Sequence, residues 1–257
     1  MILAHDDEGD GPAVVLLHSS VCDRRMWQRQ AEVLTAAGHR VIRPDFQGFG
    51  DTPAPTAPYD EAGDLRALLD ALGVDRAVLV GSSMGGRVAQ EFAARWPSQV
   101  IGLLLVCAAT RLLPPTADAR AFGAEEDALL EAGDVDGAVD LNVRTWLGPA
   151  ASAHTAVAVA EMQRRSFEVQ LAAGDVSADR PDFDLGAIVA PTLVVSGAHD
   201  LDYFGHVADL LAARIGGAQR LELDWAGHLP SLEDPDRFDP LLLEFVTGLE
   251  RVVSAKR

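Results

Sequence analysis

The chain predicts an α/β protein: a mostly parallel central sheet flanked by helices, with a helical segment inserted near its middle. Three observations carry that reading. Short apolar runs bounded by turn residues alternate with longer amphipathic stretches, the pattern of a parallel sheet covered by helices. The cores of those runs, such as Val14-Val15-Leu16-Leu17 and Leu103-Leu104-Leu105-Val106, are continuous rather than alternating, which strands buried on both faces require. The alternation then breaks once, between Ala109 and Ala190, where helical spacing replaces strand signals.

In chain order, the strand candidates are Ala13–His18, Arg40–Asp45, Arg76–Gly81, Val100–Cys107, Pro191–Gly197 and Gln219–Asp224. Before them only Leu3–Asp7 can supply a further strand. The helix candidates are Asp23–Ala37, Tyr59–Leu72, Met84–Trp96, Tyr203–Ile215 and Pro235–Val253. Gly38 and Gly73 stand where helix C-termini stop, and Pro97 ends the helix after Ser83. The interrupted stretch carries Leu129, Leu130, Val139, Val143, Trp146 and Leu147 at helical spacing. A structureless loop of that length is improbable. The expected division is therefore a core domain of residues 1–110 and 186–257, with a helical cap over 111–185. Pro114-Pro115 and Pro181 lie near its ends.

Length and composition bound the function classes. At 257 residues the chain buries enough surface to fold without disulfide or metal. Its 21 basic and 39 acidic residues give a formal charge of −18, a field that disfavours nucleic acid and anionic membrane as partners. Two cysteines, Cys22 and Cys107, are too few for a disulfide framework or a zinc site. No run of about 18 uncharged apolar residues is present to span a bilayer. The first eight residues lack the cationic and apolar regions of a signal peptide. These features predict a cytoplasmic protein.

The chemistry concentrates in Gly81-Ser82-Ser83-Met84-Gly85, which matches G-x-S-x-G. It directly follows a predicted strand and directly precedes a predicted helix, the setting of a nucleophile elbow. Strand and helix approach closely there, so the positions two before and two after the serine must be small, and both are Gly. The helix N-terminus adds unpaired N–H groups and partial positive charge. A serine hydroxyl also needs a base, and the base an orienting carboxylate. Asp200 lies in the loop after the strand that ends at Gly197, at the sheet edge where ligands bind in such folds. His228 lies in the loop after the next strand. Asp202, two residues beyond Asp200, is a second candidate for the acid. His18 suits the orientation of its own loop better than proton transfer. None of the seven histidines forms a metal-ligand pair at helix or hairpin spacing with a suitable partner, so no metal is expected.

Together with Leu16-Leu17-His18-Ser19-Ser20, Asp45-Phe46-Gln47-Gly48-Phe49-Gly50-Asp51-Thr52 and Gly227-His228-Leu229-Pro230-Ser231-Leu232-Glu233-Asp234-Pro235, these motifs run along nearly the whole chain. In them the sequence resembles the α/β-hydrolase superfamily, in its group of small capped bacterial serine hydrolases. The resemblance implies the α/β-hydrolase fold, a catalytic set of Ser83, Asp200 and His228, and no cofactor. It also implies an oxyanion hole formed by the backbone N–H groups of Ser20 and Met84. This chain departs from the family in carrying Ser19 where Gly is usual after the histidine.

Other signals are weaker. Asp45-x-x-Gly48-x-Gly50 has Pro53 at the third glycine position of a dinucleotide fingerprint and no helix opening there, which excludes NAD binding. The only lysine is Lys256, so no P-loop exists. Ser19, Trp27, Arg87 and Trp146 are candidates to line the substrate pocket. Arg24, Arg164, Arg165 and Trp225 raise the same question, whereas Met162 and Phe167 fit a core.

The expected activity is hydrolysis of a carboxylic ester or lactone through an acyl-enzyme. A C–C bond hydrolase acting next to a ketone, or a cofactor-free perhydrolase, uses the same three residues. A ligand-binding receptor or scaffold on a hydrolase fold is the non-enzymatic alternative.

Overall fold

The computed structural model describes residues 1–173 and 176–254. Its seven strands are β1 (His5–Glu8), β2 (Ala13–Leu17), β3 (Arg40–Pro44), β4 (Ala77–Ser82), β5 (Val100–Val106), β6 (Thr192–Gly197) and β7 (Gln219–Leu223). They form one sheet in the order β1-β3-β2-β4-β5-β6-β7. Only β1 is antiparallel to its neighbour. The strand expected at Leu3–Asp7 is β1, displaced by one or two residues. Its charged sequence is held at the sheet edge by ion pairs from Asp7 to Arg40 and from Glu8 to Arg43, each 2.7 Å.

Continuous apolar strands divide their side chains between two helical layers. Val15, Leu17, Leu79, Leu103 and Leu105 pack with α2 (Glu61–Ala71), α3 (Met84–Arg95) and α7 (Asp202–Arg214). Val14, Leu16, Val78, Val80, Leu104 and Val106 face the other way, toward α1 (Gln28–Ala36) and α9 (Pro235–Ser254). Period-two alternation of the side chains thus serves both layers, and each fully buried Leu or Val stabilises the fold by roughly 1.5–3 kcal/mol.

The helix expected over Asp23–Ala37 is two elements. Asp23 accepts the Arg25 N–H and starts a 3-10 turn at Arg24–Trp27, after which α1 begins. Between β5 and β6 run α4 (Ala117–Glu131), α5 (Val135–Trp146) and α6 (Ala153–Leu171). Asp134 and Ser152 cap α5 and α6 by accepting the N–H of Gly137 and Thr155. The three helices share a small core of Ala138, Val139 and Phe167. Val159, Met162 and Trp146 join the larger core beside Val21, Cys22 and Trp27. A one-turn helix, α8 (Pro230–Glu233), precedes α9. Among the described residues, no helix is long and apolar enough to cross a membrane.

Parallel register sets the chemistry. Leu17 pairs with Gly81, Ser82 with Val106, and Val106 with Val195. The residues that follow β2, β4, β5, β6 and β7 therefore emerge at one edge of the sheet.

Candidate active site

Ser83 occupies the turn between β4 and α3 with φ 50° and ψ −112°. A non-glycine residue at such angles is strained and persists only where its surroundings hold it. Here the holding is explicit. The Ser83 N–H donates to Val106 O, and its carbonyl accepts from the N–H groups of Arg87 and Ala109, at 3.0–3.1 Å. The three glycines around it are forced by contact. A methyl group on Gly81 would lie 2.7 Å from Gly86 N, one on Gly85 would overlap the Leu17 carbonyl, and one on Gly86 would lie 2.5 Å from Ala108 Cβ.

His228 is buried, and its Nδ1 lies 2.7 Å from Asp200 Oδ2. Asp200 Oδ1 accepts the Leu201 N–H at 2.7 Å. With the carboxylate an obligate acceptor, Nδ1 carries the proton and Nε2 is left as the basic nitrogen. The other acid candidate, Asp202, is exposed in the first turn of α7, where its N–H donates to Asp118 in α4. The imidazole lies among aromatic rings, with Phe204 at 4.1 Å and Trp146 at 4.5 Å between centroids. Phe122 packs edge-on against Trp146 in turn. The Trp146 carbonyl also accepts the His228 N–H at 3.1 Å.

On the far side of Ser83, His18 is fully buried and neutral by construction. Its Nδ1 donates to Ser19 O at 2.8 Å, and its Nε2 accepts the Phe46 N–H at 3.0 Å. Burial holds its pKa below the usual histidine value. His18 thus ties the loop after β2 to the loop after β3, as a loop-orienting residue does. Its carbonyl accepts the Gly85 N–H at 3.0 Å, which draws the same loop against the start of α3. Ser20 is exposed at the tip of that loop. Among the described residues, no hydrogen bond engages the N–H of Ser20 or of Met84. The loop after β3 turns on its glycines, with Gly50 at φ 51° beside the Asp45 carboxylate. That carboxylate accepts from the N–H groups of Arg24 and Asp51 and pairs with the Arg24 guanidinium.

The remaining pocket candidates separate. Trp146 lies against His228, as above. Trp27 is fully buried and stacks at a tilt on Phe238 of α9. Arg87 is also turned inward. Its guanidinium, 7% exposed, is bidentate on Glu61 at 2.6 and 2.9 Å and reaches Glu91 at 3.2 Å. Ser19 is buried, with its N–H directed at Met26 Sδ and its carbonyl accepting from Cys22. A cavity of about 570 Å³ opens beside Met84, walled by Gln47, Phe49, Tyr59, Gln170 and Arg180.

Two residues at the site carry no sequence signal of their own. Cys107, at φ 44°, follows β5 and directs its thiol at Gly227 O, 3.6 Å away. Cys107 Sγ, Asp200 and His228 lie within 4.8 Å of one another, the only such grouping of metal-ligating types among the described residues. Burial and the Asp200 charge push the thiol well above its usual pKa. Cys22 is likewise buried with a raised pKa. The second residue is Glu233, whose carboxylate is buried beneath the His228 loop.

Known proteins share the family and the fold. A model described as "Alpha/beta hydrolase family" matches residues 14–240. A protein of Variovorax paradoxus (strain S110) named carbamate hydrolase RutD is 34% identical over 249 residues, covering 92% of each chain. A thermophilic esterase from Thermogutta terrifontis superposes with a TM-score of 0.79 at 28% identity, over 96% of this chain and 93% of that one. The enol-lactonase from Burkholderia xenovorans LB400 gives 0.77 at 27% identity, over 95% and 96%.

Proposed function

We propose, from the premise that this chain belongs to the alpha/beta hydrolase family, that it is a serine hydrolase acting on a small carboxylic ester or lactone. The observation that carries the reading is the 2.7 Å pairing of His228 Nδ1 with Asp200, at the sheet edge that also bears the strained Ser83. In this reading Ser83 Oγ attacks the substrate carbonyl and His228 Nε2 takes its proton. Asp200 holds the tautomer and stabilises the imidazolium that forms. The N–H groups of Ser20 and Met84 receive the oxyanion, where preorganised donors contribute about 10²–10³-fold each. His228 returns the proton to the leaving alcohol. A water, deprotonated by the same nitrogen, then releases the acid.

Helices α4–α6 act as a cap over the acyl group, with Trp146 as its wall against the base. The cavity beside Met84 has a volume suited to a small organic substrate. Relatives support the ester and lactone classes by name. A full-length relative named for carbamate hydrolysis adds a carbonyl open to the same attack.

The test is labelling by a fluorophosphonate probe with mass mapping of the adduct. A single adduct on Ser83, lost in Ser83→Ala, is expected. Folded protein that fails to label overturns the reading and favours a binding role. Nitrophenyl esters, lactones, aryl carbamates, dienoic diketones and peracid formation, assayed side by side, then assign the bond.

A further inference from the structure

Glu233 is a carboxylate with no part in the chemistry above, yet it is 4% exposed and fully engaged. Its Oε2 accepts the Gly227 N–H at 2.8 Å and its Oε1 accepts the Leu229 N–H at 2.9 Å. It therefore straddles His228, holding the amide on each side. The Gly148 N–H is also directed at it. Gly148 lies two residues beyond Trp146, whose carbonyl accepts the His228 N–H between those two amides. Space is tight on every side. A methyl on Gly227 would lie 2.6 Å from Gly148 N, and one on Gly197 would overlap Gly227 O. The one-turn helix α8 returns Glu233 beneath the loop, with Leu229 O accepting the N–H groups of Leu232 and Glu233.

Such a carboxylate is costly to bury, and removing its three donors from water is costly too. An apolar residue at position 233 would leave two loop amides buried without acceptors. The arrangement does more than fill space, because it fixes the one backbone segment whose side chain must meet both Asp200 and the Ser83 hydroxyl.

We propose that Glu233 is a positioning residue for the base, setting the His228 main chain and locking it to the end of α5 through Gly148. The proposal rests on the reading of His228 as the base. Glu233→Gln keeps one acceptor oxygen but turns an NH₂ toward the other amide. Glu233→Asp keeps the charge and shortens its reach.

In the full chain, both variants are expected to keep the circular dichroism of the wild type. A misplacement near 1 Å costs about 10²-fold in rate, so the kcat on a nitrophenyl ester and the fluorophosphonate labelling rate should fall by that order in Glu233→Gln. KM should hardly move. Glu233→Asp should fall less, a graded rescue that a general loss of packing would not give. Hydrogen exchange on the wild type needs no variant, and the Gly227, His228 and Leu229 amides should be protected together. Unchanged kcat in both folded variants, or free exchange at Gly227 and Leu229, overturns the role of Glu233 while leaving the nucleophile reading intact. A wild-type chain that does not label at Ser83 overturns both.

Discussion

The indole of Trp146 stands 4.5 Å from the imidazole of His228, while its own carbonyl accepts the His228 N–H. One residue at the end of α5 therefore touches the proposed base through both side chain and backbone. The indole Nε1 donates to Asn142 Oδ1 at 2.8 Å, and Asn142 donates in turn to Glu126 of α4. Trp146→Ala is expected to lower stability by about 3–5 kcal/mol, the usual range for a large aromatic truncated in a core. Trp146→Phe keeps a ring against His228 but leaves Asn142 Oδ1 unpaired, which costs about 1–3 kcal/mol. Urea unfolding gives the stabilities. Turnover at saturating ester should drop far more in the alanine variant than in the phenylalanine variant.

Asp200 and Asp202 are two residues apart but differ completely in environment. Asp200→Asn presents an amide to Nδ1 and favours the wrong tautomer, with an expected loss of about 10⁴-fold in kcat. Asp202→Asn should leave kcat near wild type, since its carboxylate is exposed on the first turn of α7. Steady-state assays of the two variants check the assignment, and equal losses would contradict it.

His18 predicts an acid-sensitive fold. Its pKa is lowered by burial from the usual 6.5, so between the folded and unfolded values the unfolded chain binds more protons. Stability linked to this group is thus fully present above about pH 6.5 and is lost as pH falls toward the folded value. The slope reaches at most about 1.4 kcal/mol per pH unit. Protonation also removes the acceptor for the Phe46 N–H. Urea titrations from pH 8 to pH 5 should show a steeper decline for the wild type than for His18→Gln. Parallel profiles would contradict the assignment.

Arg87 is expected to matter for stability rather than recognition. Its removal leaves Glu61 and Glu91 buried, each 6% exposed or less at the side chain, with the more exposed Arg180 and Arg111 as their remaining partners. The cost therefore approaches but does not exceed the roughly 3–5 kcal/mol of stripping one partner from a buried pair. Arg87→Met should lower the denaturation midpoint. The ratio of kcat/KM for neutral and anionic esters should stay the same, and a selective loss on anionic esters would return Arg87 to the substrate.

The sheet was legible because its strands are continuous apolar runs, and the elbow because G-x-S-x-G fell between a strand and a helix. β1 was faint for a physical reason. At the sheet edge its side chains are Asp6, Asp7 and Glu8, and they gain partners in Arg24, Arg40 and Arg43 rather than burial. The inward packing of Trp27 and Arg87 was not readable, because a single aromatic or guanidinium does not reveal which way its turn faces. Asp200 was favoured by its place just after a strand, with Asp202 as the second candidate, since one peptide turn decides which carboxylate meets the imidazole. Glu233 sat inside a recognised motif, but its work is on main-chain amides, which no residue pattern displays.

Leu103 of β5 pairs directly with Thr192 of β6, although α4, α5 and α6 intervene along the chain. The entropy of closing such an excursion grows only with the logarithm of its length, about 0.6 kcal/mol for each doubling. The sheet therefore hardly registers how many residues leave and return at that point. Lengthening, shortening or exchanging the excursion is thermodynamically cheap as long as Trp146, Val159 and Met162 keep their places in the core and Gly148 still meets the His228 loop. In the proposed reading, selectivity toward new acyl groups can thus be varied there by grafting, while Ser83, Asp200 and His228 stay on a frame that does not have to be rebuilt.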